Sequence, residues 1–377
     1  MSEENGYLNF VLPTKLKFGP GTRSEIAEEI FSFGFRRIGI VTSEEILELG
    51  LLDGIKETLE TKERKVRVFS EVTSNPHLST IAEGFRSFKE FEPNCLIGLG
   101  GGSAIDATKA ISLCLANEES DIVKLDRGEE KLKRAIPYFA VPTTSGTGSE
   151  VDYWAVISDP DTNKKLSIGA PEMSPLTAVV DPELTLTLPP ELTFFTGIDA
   201  FSHAMEAYFS SGSNELSDTL SVKAMELVFR SLETAVNSGD KLSARVDMAL
   251  ASTLGGAAMQ HVGLGLIHAM SHQVSGFYDT NHGLANASLT LPVLEYNEVE
   301  TPKRLENLER KLGGNFRKKI ENLFAIVDLS EYEVTLKEKD LGEMVSRAVT
   351  NVNAETNPRQ PDRDDVERLY RESFTIE

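Results

Sequence analysis

The feature that most constrains this chain is a short apolar run at 95–99 (CLIGL). It delivers Gly100-Gly101-Gly102-Ser103 straight into a helical segment at 104–114. A strand that empties through glycines into a helix N-terminus is a βα unit. It also makes a place for an anion, because a backbone without Cβ atoms can approach a phosphate closely. The free amides and the helix dipole then supply the positive potential. The spacing is not G-x-G-x-x-G, so the run alone reads equally as a pyrophosphate site or as a tight turn.

Its surroundings predict a parallel sheet. Segments 37–42, 66–69 and 138–141 read as further strands, while 51–61 and 78–91 carry apolar residues three and four apart, as helices do. Strand alternating with helix gives a sheet covered on both faces. Segments 151–158 and 164–168 read as an added hairpin turning at 159–163 (DPDTN). Beyond Asp181-Pro182 the texture changes. Pro189-Pro190 opens a stretch that is helical almost to the end, and ALASTLGGAA at 249–258 suits a buried helix packed closely on its neighbours. A chain of 377 residues is expected to divide in two. The boundary is placed near residue 185, giving an α/β domain over 1–185 and an all-helical domain over 186–377, with a ligand cleft between them.

The formal net charge is −21. Such a surface repels phosphate backbones and anionic lipid, so neither nucleic acid nor membrane is an expected partner. An anionic dinucleotide would have to be held by backbone amides and helix ends instead of a basic patch. No apolar run reaches the roughly 20 residues that span a bilayer. The first ten residues show no basic segment followed by an apolar one, so no secretion signal is read there. Cys95 and Cys114 form no CxxC pair, which points to a reducing, cytoplasmic setting.

A second polar turn follows the 138–141 strand: Pro142-Thr143-Thr144-Ser145-Gly146-Thr147-Gly148-Ser149-Glu150. A flexible surface loop is the plain reading. Two such turns at the ends of neighbouring strands would share one edge of the sheet, however, and that edge is where open α/β sheets bind ligands.

The helical half carries a different signal. Asp199 and His203 are four residues apart, as are His268 and His272, and His282 follows. A carboxylate and imidazoles one helical turn apart can converge on a divalent ion. Each pair alone reads as a helix-surface hydrogen bond. The apolar neighbours Ile198, Ala200, Ala204, Ile267, Ala269 and Met270 favour neutral imidazoles, and so ligands. Spacing leaves open which of His268 and His272 binds. His77 and His261 are read as structural or exposed.

Taken together, these stretches resemble the iron-containing (group III) alcohol dehydrogenase family. The resemblance rests on Gly100-Gly101-Gly102-Ser103 with Asp106 and Lys109, on VPTTSGTGSEV at 141–151, and on Asp181-Pro182. It continues through TGIDAFSHAMEAY at 196–208, GLIHAMSH at 265–272, HGLANA at 282–287 and Asn357-Pro358-Arg359. It implies a dehydroquinate-synthase-like architecture: an α/β dinucleotide-binding domain with a mainly parallel sheet, then an all-α metal-binding domain. The implied metal ligands are Asp199, His203, His268 and His282, with ferrous iron (Fe2+) as the usual ion and zinc (Zn2+) in some members. His272 then falls beside the nicotinamide, assisting proton movement or positioning. Gly100 belongs to the glycine turn, and the carried-over cofactor residues are Asn75, Gly101, Gly102, Ser103, Thr143, Thr144 and Lys165. At the end of the 37–42 strand, where NAD-preferring members often have an aspartate, this chain has Ser43. That leaves room for NADP, although Glu44 and Glu45 follow at once; acceptance of NADP is expected.

The implied activity is hydride transfer between NAD or NADP and a small alcohol or aldehyde, by a homodimer. Two other classes share parts of this pattern. A cofactor-recycling lyase resembling dehydroquinate synthase needs basic residues to hold a phosphorylated substrate, and none lies near the histidines in sequence. A metal-dependent hydrolase or a binding protein would leave the glycine run as a mere turn.

Overall fold

The computed structural model describes residues 10–126 and 134–377. Most of the leader reading, at 1–9, therefore lies outside the described residues.

Eight strands occupy the first half: β1 (Lys15–Phe18), β2 (Arg37–Val41), β3 (Lys65–Phe69), β4 (Cys95–Gly100), β5 (Tyr138–Pro142), β6 (Trp154–Asp159), β7 (Lys164–Gly169) and β8 (Thr177–Val180). Between them run α1 (Ile26–Ser32), α2 (Glu44–Glu48), α3 (Asp53–Leu59), α4 (Leu78–Lys89), α5 (Gly102–Asn117) and α6 (Ile122–Asp126). Six strands form one sheet in the order β1-β8-β5-β4-β2-β3, all neighbours parallel. All six residues of β4 are buried, as expected of a central strand covered on both faces. Apolar clusters lie on the two sides, one around Phe88, Ile111 and Tyr138, the other around Ile30, Ile97 and Phe139.

Strand order fixes where a ligand can sit. From β2 the chain moves outward to β3, then returns to lay β4 on the other side of β2 and continues through β5 to β8. The carboxyl ends of β2 and β4 thus flank a point where the winding reverses, which opens a crevice there. Ser43 follows β2, and the glycine turn follows β4.

Several element boundaries differ from the sequence reading by a few residues. The helix expected at 51–61 is confined to Asp53–Leu59. The hairpin strand expected from 151 starts at Trp154, because Asp152 is used otherwise: its carboxylate accepts from the Lys109 ammonium and from the Trp154 amide. The hairpin pairs antiparallel from Trp154↔Gly169 to Asp159↔Lys164.

The second half is helical. It comprises α7 (Pro190–Phe209), α8 (Glu215–Asn237), α9 (Leu242–Val262), α10 (Leu266–Tyr278), α11 (His282–Glu298), α12 (Pro302–Leu312), α13 (Phe316–Phe324), α14 (Glu338–Val349) and α15 (Arg363–Ser373). A two-stranded ribbon joins β9 (Thr335–Leu336) to β10 (Thr375–Ile376). Pro190 occupies the first turn of α7, where its missing amide costs nothing. Asn214 caps α8 through the amides of Leu216 and Ser217. One large apolar cluster, from Phe194 to Phe374, fills this half. Among the described residues no helix is long and apolar enough to cross a membrane.

The polar turn after β5 is buried, contrary to a flexible surface loop. Gly148 (φ +66°) packs on α9 so closely that a Cβ added there would lie 2.6 Å from the Gly256 Cα. The small-residue segment of α9 exists for this contact, which joins the two halves backbone to backbone.

Candidate metal and cofactor site

The polar side chains of the helical half meet at one oxygen. Asp199 Oδ1 lies 3.7 Å from Nε2 of His203, 3.7 Å from Nε2 of His268 and 3.7 Å from Nε2 of His282. Asp199 and His203 come from one face of α7, His268 from α10, and His282 from the first turn of α11. The ligand atoms of Asp199, His268 and His282 all lie within 4.8 Å of one another. His203 joins them through Asp199 and stacks its ring on that of His268, with centroids 4.6 Å apart. Nitrogen and oxygen donors bonded to one ion at about 2.0–2.2 Å stand about 3.0–3.6 Å from each other. Asp199, His268 and His282 therefore stand close enough to share a single divalent cation, with His203 at the edge of the group, and a carboxylate with imidazoles suits iron or zinc.

The remaining atoms of these side chains are set to serve such an ion. His203 Nδ1 donates to the Gly146 carbonyl at 3.3 Å, which leaves Nε2 as the lone pair facing Asp199. His268 Nδ1 donates to Glu206 Oε2 at 2.6 Å, and the Ile267 amide donates to Glu206 Oε1 at 2.6 Å. Asn286 Nδ2 donates to Asp199 Oδ1 at 2.9 Å. Glu206 and Asn286 had no role in the sequence reading. Glu206 lies seven residues after Asp199, two turns along the same helical face, a spacing that could have flagged it.

Charge follows burial. Burial opposes ionisation of Asp199, but His203 and the other imidazoles hold its carboxyl well below the usual range. Burial likewise lowers His203 and drives His272 and His282 well down, which favours their neutral forms. His268 differs: burial works against its charge, yet the Asp199 and Glu206 carboxylates raise it to about 9. His272 lies one turn beyond His268, with ring centroids 6.1 Å apart, and 5.3 Å from the His282 ring; its Nδ1 has no partner. His77 precedes α4, and the half-buried His261 stacks on Phe10 at 3.8 Å.

The sequence-predicted cofactor residues gather at the carboxyl edge of the sheet. Ser43 stands past β2 and Asn75 past β3, with Gly100 to Ser103 at the end of β4 and the start of α5, and Thr143 and Thr144 past β5. The Thr143 amide donates to the Gly100 carbonyl at 2.9 Å, tying the two turns together. No side chain caps α5, and while the Ala104 amide donates to the Gly101 carbonyl at 3.0 Å, the amides of Gly102 and Ser103 remain for a ligand. A Cβ at Gly102 would come 2.4 Å from Thr147 Cγ2, so glycine is what lets the start of α5 lie against the neighbouring turn. These features fit a dinucleotide phosphate. Behind them Lys109, fully buried, gives its ammonium to Ser149 Oγ, Asp152 Oδ1 and the Trp154 carbonyl, each at 2.6 Å. Asp106 accepts from Ser149 Oγ at 2.5 Å and from the Val156 amide at 2.9 Å. This pair braces α5 against the polar turn and the hairpin.

Residues 13–182 match the model of iron-containing alcohol dehydrogenases, and residues 193–374 match the C-terminal model of the Fe-containing alcohol dehydrogenase family. The chain belongs to the iron-containing alcohol dehydrogenase family. Alcohol dehydrogenase 4 of Schizosaccharomyces pombe is 35% identical over 97% of this chain and 89% of its own length. The NAD-dependent methanol dehydrogenase of Bacillus methanolicus is 32% identical over 97% and 100%. A solved iron-containing alcohol dehydrogenase from Thermotoga maritima superposes with a TM-score of 0.88 at 28% identity, covering 98% of this chain and 99% of that one. The α/β-plus-helical fold is that of the family, and the relatives are alcohol dehydrogenases and aldehyde reductases, so a cofactor-recycling lyase is not favoured.

Proposed function

We propose that this chain interconverts a small alcohol and its aldehyde or ketone, using NAD or NADP and an iron ion, with zinc as the alternative metal. The observation that carries the reading is the convergence of three imidazole Nε2 atoms on one Asp199 oxygen, 3.7 Å from each. When bound, the ion supplies positive charge to the substrate oxygen and the nicotinamide exchanges the hydride.

The protein supplies placement. Asp199, His203, His268 and His282 are the ligands, with Glu206 and the Gly146 carbonyl fixing the tautomers of His268 and His203. The amides of Gly101, Gly102 and Ser103, set by the turn that Gly100 opens, and the hydroxyls of Thr143 and Thr144 hold the phosphates, while Asn75 and Lys165 complete the seat. His272, neutral and with Nδ1 free, holds or passes the proton of the substrate hydroxyl. Residues 1–185 act as the cofactor domain and 186–377 as the metal domain. Ser43 leaves room for a 2′-phosphate, but it is hydrogen-bonded to Glu45, whose carboxyl it lowers. That negative charge at the crevice mouth puts NAD first and NADP second. Two buried, unpaired cysteines and the family habit support a cytoplasmic homodimer.

Anaerobic purification, elemental analysis and a short aldehyde panel with NADH and NADPH test the reading. Steady loss of the nicotinamide absorbance by iron- or zinc-loaded protein is expected. Metal-loaded protein that oxidises neither cofactor with any aldehyde would overturn it.

A further inference from the structure

Across the cleft, one asparagine is held from both halves of the molecule. Asn75 lies in the loop after β3, with a left-handed backbone (φ +55°) that asparagine tolerates and most residues do not. Its Oδ1 accepts from Lys165 Nζ on β7 at 2.7 Å, and its Nδ2 donates to Asp279 Oδ1 at 2.7 Å. Asp279 belongs to the helical half, in the turn between α10 and α11, three residues before His282. The amide has only one possible orientation here. An ammonium can only donate and a carboxylate can only accept, so oxygen must face Lys165 and nitrogen must face Asp279. The hairpin that carries Lys165 is fixed at its tip as well: Arg347 on α14 donates to the Asn163 carbonyl at 2.8 Å and to the Thr162 carbonyl at 3.0 Å.

We propose that Asp279 is a positioning residue for the cofactor seat: it orients the Asn75 amide so that Asn75 Oδ1 holds the Lys165 ammonium at the cleft. This rests on the dehydrogenase reading, because Lys165 matters only where a dinucleotide binds. In this reading Asp279 acts through Asn75, its hydrogen-bond partner.

The electrostatics allow a test that a merely structural contact would fail. Burial lowers Lys165 to about 8, opposed by the carboxylates of Asp199, Asp279 and Asp106; the neutral imidazoles of His272 and His282 also face it. Asp279 supports the lysine charge directly as well as through Asn75. Removing its carboxylate charge should let Lys165 lose its proton at lower pH. The shift expected is about half a pH unit, less than a buried contact gives, because Asp279 faces water.

The measurement is equilibrium binding of NADH between pH 6.5 and 9.5, read from the fluorescence of Trp154, the sole tryptophan, which lies on β6 of the same hairpin. Wild type should bind more weakly at the alkaline end of this range. Asp279→Leu should weaken binding about three- to tenfold even at pH 6.5, the worth of one lost orienting hydrogen bond. Asp279→Asn keeps an acceptor for Asn75 but not the charge. It should bind like wild type at pH 6.5 and lose affinity at lower pH than wild type does. Lys165→Met should flatten the profile. Profiles of both Asp279 variants that superimpose on wild type overturn the proposal, as does a Lys165→Met profile that keeps its alkaline fall. Wild-type protein that binds no NADH overturns the dehydrogenase reading instead, so the two failures are distinguishable.

Discussion

Glu206 receives the Nδ1 proton of His268 at 2.6 Å while also accepting the backbone amide of Ile267. A buried carboxylate anchored at both oxygens fixes the direction in which the imidazole presents its other nitrogen. Such partners behind a metal ligand typically contribute ten- to hundredfold in metal affinity. Glu206→Ala should therefore lower metal affinity by about that factor, measured by competition with a chelator, and Glu206→Gln, which keeps an acceptor, should fall between it and wild type.

His268→Ala removes a ligand outright from a fully buried position. The variant should purify folded, metal-poor and nearly inactive. Circular dichroism, elemental analysis and turnover would report the three properties separately; full activity at normal metal content would falsify the ligand assignment.

In the metal-free protein His268 is raised to about 9, whereas His203, His272 and His282 are lowered. Loading a cation must then displace one proton, from His268, since only a deprotonated nitrogen can ligate. Affinity for a divalent ion should rise with pH, by up to about tenfold per unit, until it levels near pH 9. The same shift contributes stability that is full below the ordinary histidine range and lost as pH rises through about 9, while the three lowered imidazoles oppose folding as pH falls through that range. Chelator competition and thermal unfolding at pH 6.5, 7.5 and 8.5 check both directions.

Gly256 meets Gly148 with no room for a side chain, as an added Cβ at Gly256 would sit 2.7 Å from the Gly148 Cα. Gly256→Ala carries no backbone penalty in a helix, so its effect isolates the clash. A cost of about 1–3 kcal/mol is expected, read as a lowered thermal midpoint.

Both cysteines are buried. Burial pushes the Cys95 thiol well up and Cys114 to about 12. At pH 8 neither should react with a thiol reagent in native protein, and both should react in denaturant.

Periodic and local signals were legible without a structure. The strand–glycine–helix unit, the parallel sheet, the helical second half and the Asp199/His203 spacing all follow from chain-local chemistry. What spacing could not separate were His268 and His272, which sit one turn apart on one face of α10. Their difference comes from α7, where Asp199 and Glu206 face His268. The roles of Asn286 and Asp279 were invisible for the same reason, since their partners lie 87 and 204 residues away. The late start of β6 was missed because Asp152 answers to Lys109, 43 residues upstream.

Where Gly148 lies against Gly256, main chain rests on main chain without intervening rotamers. A seam of this kind cannot yield by side-chain repacking, so any rocking between the sheet half and the helix half must hinge close to it. The cleft's far side, where the 164–169 strand reaches toward α14, would then travel furthest during cofactor exchange.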